Sequence, residues 1–159
     1  MKRLLLTAFV LLATLTTPAF AQNQKEIARF YVSKATINGR DVTSQVIGND
    51  AYTVFYEVEN KLYMANVWEK QDSQSWGPVL RIVSNHYPET NDAYEADEFK
   101  FDWSFRNSYD SKRGVCRVIF SKIYKPSGVV SILKLIEESG DETKYIGYMK
   151  GSINFSKYY

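Results

Sequence analysis

The sequence predicts an all-β domain of about eight antiparallel strands, closed as an up-and-down barrel or folded as a β-sandwich, with the barrel preferred. Three observations lead there. The stretch Phe99-Lys100-Phe101-Asp102-Trp103-Ser104-Phe105-Arg106 places a ring at every second position and a polar residue between. Side chains alternate across a strand, so this pattern gives one greasy face and one wet face, whereas a helix would scatter the rings around its axis. Punctuation is the second: Asn38-Gly39, Glu59-Asn60-Lys61, Lys125-Pro126-Ser127-Gly128 and Glu138-Ser139-Gly140-Asp141 divide the chain into strand-length pieces. The third is the brevity of those connections. A parallel crossover needs a dozen or more residues, so neighbours in sequence pair antiparallel.

The chain opens with Lys2 and Arg3, runs apolar from Leu4 to Thr16 and reaches Thr17-Pro18-Ala19-Phe20-Ala21. A basic start, a short apolar run and an A-x-A-like end make a secretory signal peptide over residues 1–21, cut before Gln22. The apolar run falls short of the roughly 20 residues that cross a bilayer, which disfavours an N-terminal anchor. The expectation is a secreted or periplasmic protein with no membrane span in its mature chain.

The full sequence holds 20 Lys+Arg against 18 Asp+Glu, and Lys2 and Arg3 leave with the leader. The mature charge is then balanced, so there is no basic field for nucleic acid or anionic lipid. Residues 22–159 fit one domain. The single cysteine rules out an intrachain disulfide, leaving packing and strand pairing to hold an exported fold.

Taken in order, Ile27–Ile37 reads as the first strand, ending at Asn38-Gly39. Asp41–Gly48 is either one capped helical turn or a short strand, the helix being slightly favoured. Tyr52–Val58 and Leu62–Trp68 form a hairpin, Gln71–Ser75 is loop, and Trp76–Ser84 is the next strand. Pro78 lacks a backbone donor, so that end of the strand is expected at a sheet edge or bulge. Asn85–Ala96 is the longest loop, followed by the aromatic strand and the polar connection Asn107–Gly114. Val115–Tyr124, Val129–Ile136 and Lys144–Phe155 complete the series.

A leader, about eight antiparallel strands and an early short helix together resemble the lipocalin-like class of small ligand-binding barrels. The likeness is architectural. Where that class carries Gly-x-Trp, the first strand here reads Ile27-Ala28-Arg29-Phe30. It implies a cavity for a small apolar ligand, and Phe99, Phe101, Trp103 and Phe105 are the candidate lining. Tyr52, Tyr56, Met64 and Trp68 join them if the preceding hairpin turns that face inward. Core packing by the same rings is the competing explanation.

Chemistry is sparse. His86, the sole histidine, follows Ser84-Asn85 with no elbow or second signature beside it, and reads as a solvated loop residue. Cys116 alternates in phase with Val118 and Phe120, which makes it a buried, inert thiol. Glu89, Asp92, Glu95, Asp97 and Glu98 lack the twelve-residue calcium pattern. No catalytic residue, metal or cofactor is expected. A membrane-spanning barrel is disfavoured by Arg117, Lys122 and Lys134 lying mid-strand and by apolar residues on both parities. Two functions remain: an exported, non-enzymatic binding module for a small apolar ligand, or a structural or protein-interaction component of the cell envelope with a filled core.

Overall fold

The computed structural model describes residues 24–159; the leader expected over residues 1–21 lies outside them. The strands are β1 (Lys25–Ile37), β2 (Arg40–Asp41), β3 (Ala51–Val58), β4 (Lys61–Trp68), β5 (Ser73–Tyr87), β6 (Ala96–Asn107), β7 (Arg113–Lys125), β8 (Gly128–Glu137) and β9 (Glu142–Gly151). From β3 onward each strand pairs antiparallel with the next, and β9 returns to β1. Eight strands thus close an antiparallel up-and-down barrel, and β2 is a two-residue addition on β1. The sandwich alternative falls, because β1 bonds to both β3 and β9.

The ambiguous segment is a helix, α1 (Thr43–Gly48). Asp41 accepts a bond from the Thr43 N–H, and the Thr43 hydroxyl accepts one from Ala35 N–H, so the turn is fastened to β1. Val46 drops from α1 into the core. The β3–β4 turn puts Glu59 and Asn60 at φ 48° and 61°, the doubly left-handed geometry that matches hairpin twist.

Several strands run longer than the alternation indicates. β5 starts at Ser73 and ends at Tyr87, so His86 belongs to a strand; β6 begins at Ala96, which shortens the long loop to residues 88–95. Cross-strand bonds hold these extensions: His86 faces Asp97 and Tyr87 faces Ala96. Pro78 is not at an open edge of the sheet. It forms the last pair of the β4–β5 ladder, opposite Tyr63, while the β5–β6 pairs step from Trp76 with Arg106 to Val79 with Trp103, passing over Gly77 and Pro78. The missing donor is therefore absorbed at a ladder gap. The bulge itself comes later, between Leu80 and Val83, where Arg81 has φ 53°.

The last predicted strand also ends early. β9 stops at Gly151, whose φ of 91° turns the chain, and Phe155–Tyr158 form a 3-10 turn. Phe155 enters the barrel, where it is 1% exposed and stacks on Phe99 at 4.3 Å. A strand ending at Phe155 could not have turned back to do this. Together Phe30, Phe55, Phe101, Phe120 and Phe155 are fully buried, each stabilising the fold by about 1.5–3 kcal/mol over exposure.

Candidate functional site

Alternating strand direction gives the barrel two ends. The closed end carries the turns at 59–60, 88–95 and 126–127 together with the C-terminal segment; the open end carries α1 and the turns at 69–72, 108–112 and 138–141. At the closed end Phe155 lies within 6.0 Å of Phe99, Phe101 and Phe120 by ring centroids. Lys157 and Tyr158 both donate to the Glu57 carboxylate, and Tyr159 donates to Ser84 Oγ at 2.5 Å. Rings plug this end, and the tail is tied across it.

At the open end the inward positions change character. A cavity of about 450 Å³ opens there, floored by Trp103 and Phe105 and walled by Asn66, Ser75, Asn107, Cys116, Leu135 and Tyr145. Trp103 stands 5.0 Å from Phe105 and donates its indole N–H to the Met64 carbonyl at 3.0 Å. The indole reaches over β5 where Gly77 pairs with Met64; a Cβ at Gly77 would sit 1.7 Å from the Ser104 carbonyl oxygen.

Two polar chains line this cup. Thr53 Oγ1 donates to Asn66 Oδ1 at 3.2 Å, and Asn66 Nδ2 donates across the lumen to the Tyr145 hydroxyl at 3.3 Å. Ser75 Oγ donates to Asn107 Oδ1 at 2.6 Å, and Asn107 Nδ2 donates to Asp110 Oδ1 at 3.0 Å. Asp110 also takes the Lys112 N–H, and Ser108 bonds back to Gln74, so the rim is braced before any ligand arrives. Tyr145 is 3% exposed and accepts from Asn66; among the described residues its own O–H proton has no acceptor. Burial raises its pKa, which keeps the phenol protonated as a donor.

The aromatic strand divides between the two ends. Phe99 and Phe101 are part of the plug, while Trp103 and Phe105 form the cup floor. Met64 is buried in the core. Tyr52 and Tyr56 lie on the outward parity of β3, opposite to Thr53 and Phe55, yet Tyr56 is itself buried at 5% exposure, stacked on Tyr63, with its hydroxyl unpartnered among the described residues. With Trp68 they border a larger hollow of about 810 Å³ outside the barrel. That hollow adjoins Gln24, where the described chain begins, whereas the cup is lined by strands and by the turns at 108–112 and 138–141, all of them described. Trp68 also packs against the core from its strand end.

Asn66, Ser75, Asn107 and Tyr145 are site residues that the alternation pattern did not single out. Asn66 had a signal: it is a polar residue in phase with Leu62 and Met64. Ser75 and Asn107 fell in predicted loops. Comparison with known proteins finds no matching family model, no matching curated protein and no matching solved structure. The site therefore rests on its own geometry.

Elsewhere, His86 Nδ1 meets Asp97 Oδ1 at 2.8 Å and Tyr124 donates to Asp97 Oδ2 at 2.6 Å. The hydrogen bond to Asp97 raises the His86 pKa, and those from Tyr124 and His86 lower that of Asp97. Glu98 is occupied by Tyr87 and Lys100. Cys116 faces the interior, and burial pushes its thiol up to about 12, which leaves it protonated and a poor nucleophile.

Proposed function

We propose that this protein is an exported, lipocalin-like binding module that takes one small amphipathic molecule in the open end of its barrel. The supporting observation is the cup: about 450 Å³ with Trp103 and Phe105 at its base and the unassigned Tyr145 proton on its wall. Small-molecule sites are concave and mostly apolar, with a few placed polar groups, and volumes begin near ~300 Å³. The apolar part of the ligand lies on the two rings and Leu135; a hydrogen-bond acceptor, such as a carbonyl or carboxylate oxygen, meets Tyr145 and the free Asn66 amide hydrogen. Binding is not coupled to chemistry in this reading, because Cys116 is held as a thiol and His86 sits at the opposite end.

Titration with fatty acids and retinoids tests the reading through tryptophan emission, because Trp103 forms the floor. Saturable quenching that Tyr145→Phe weakens supports it. A flat titration, together with protein purified gently from its host that carries no small molecule by native mass spectrometry, overturns it.

The alternative, an envelope interaction component, draws on the other half of the barrel, where Phe155 and its neighbours leave no room for a ligand. In that case cup variants change no binding property and surface variants do.

A further inference from the structure

Past Pro78, β5 continues for nine residues to Tyr87, but β4 has already turned back at Glu59-Asn60. Among the described residues no strand pairs with Val79–Tyr87 on the β4 side, while on the other side β6 pairs as far as Tyr87 with Ala96. One stretch of an otherwise closed barrel therefore presents a row of free backbone donors and acceptors. The bulge at Arg81 bends the first part of this row, and Arg81 is drawn to Asp102 at 2.5 Å. Beyond it Val83–Tyr87 is regular, paired residue for residue with Lys100–Ala96. Among the described residues the tail makes no backbone bond to this edge; it touches β5 through Tyr159 and the side chain of Ser84, on the face opposite to Val83. Val83 and Tyr87 are among the exposed large apolar residues, at 56% and 47%.

We infer that Val83–Tyr87 is a self-association strand, on which a second copy of this chain adds antiparallel about a two-fold axis at Asn85. A free row of backbone N–H and C=O groups is satisfied by an extended strand, and the side chains favour this strand itself. Centred on Asn85, Val83 of one copy lies opposite Tyr87 of the other twice over, a β-branched residue against an aromatic ring. Ser84 lies opposite His86 twice, and no like charges meet. Shifting the axis to His86 would set two histidines face to face and place Tyr87 against Asn85; shifting it to Ser84 would place Val83 against Asn85. The outer face beside the strand offers Glu98 and Lys100, already paired at 3.0 Å, so the approaching copy meets no single-sign field. With five residues in register, the association is reversible and concentration dependent.

Sedimentation of the purified protein over a concentration series tests this, with melting curves to show that each variant stays folded; both side chains are about half exposed, and Tyr87 gives up only its surface bond to Glu98. The wild type shifts from monomer to dimer as concentration rises. The double variant Val83→Lys/Tyr87→Lys sets like charges opposite each other and weakens association by about tenfold or more. Val83→Lys/Tyr87→Glu sets opposite charges together only in the Asn85-centred register, and restores it. A wild type that stays monomeric, a dimer indifferent to both double variants, or an edge that takes only peptides from other proteins overturns the inference.

Discussion

The two ends of the barrel are built from the same strands and differ in what the inward positions carry. Along β6 those positions read Phe99 and Phe101 toward the closed end, then Trp103, Phe105 and Asn107 toward the open one. On β4, Leu62 and Met64 give way to Asn66; on β7, Phe120 and Val118 give way to Cys116. Where the inward residues are mainly rings and aliphatic chains, the space is used up and burial holds the fold. Where hydrogen-bonding residues replace rings, their partners must be satisfied across the lumen, and room is left over. One barrel thus combines a fully packed half with a half in which polar side chains leave space.

The strongest challenge to that separation is to empty the closed end. Phe120→Ala removes a fully buried ring and is expected to cost about 3–5 kcal/mol, read as a fall in Tm, while leaving cup affinity per folded molecule unchanged. Loss of affinity in the folded fraction would show the halves to be coupled. Next in size is Gly77→Ala, which drives a methyl into the β6 backbone at Ser104; a cost of about 1–3 kcal/mol is expected, with Trp103 emission shifted as its bond to Met64 is disturbed. Tyr145→Phe sharpens the comparison from the other side. It takes the acceptor from Asn66 Nδ2 at a cost of about 1–3 kcal/mol in stability, and also removes the donor offered to a ligand, so calorimetry on the folded protein should register weakened binding as well as a lower Tm.

Two pH effects are smaller. Hydrogen bonds from Lys157 and then Tyr158 hold the Glu57 pKa below its ordinary 4.5. Because the folded value is the lower one, this contribution is present above 4.5 and is lost as pH falls through the folded value. Acid should therefore loosen the tail before the rest of the barrel, seen as faster hydrogen exchange at residues 155–159. His86 is raised from 6.5, chiefly by its bond to Asp97. Its contribution is present below 6.5 and is lost as pH rises through the raised value. In Asp97→Asn the imidazole should titrate lower by NMR.

Much of the fold was legible because half-buried strands must alternate. The rings of β6, the phase of Cys116 and a tight turn after Val58 follow from side-chain direction and turn geometry alone, though Lys61, read as part of that turn, belongs to β4. What escaped needed information from beyond the local chain. Phe155 looked like the end of a strand, since nothing near it in sequence says that Gly151 will turn the chain back into the barrel. Tyr56 and Phe55 carry similar rings on opposite faces, and only closure of the sheet decides which one is inside. The cup was half legible: its aromatic floor stands out, but Ser75 and Asn107 become inward only because β5 and β6 extend past their apolar stretches to pair with each other.

The open end is a cup braced by hydrogen bonds, and the closed end is filled by rings. The most direct measurement is the emission of Trp103 in a protein carrying Trp68→Phe and Trp76→Phe, titrated with a fatty acid series before and after Tyr145→Phe. Saturable quenching that weakens when the hydroxyl is removed is the predicted result. Emission that never responds, or responds equally in both proteins, contradicts it.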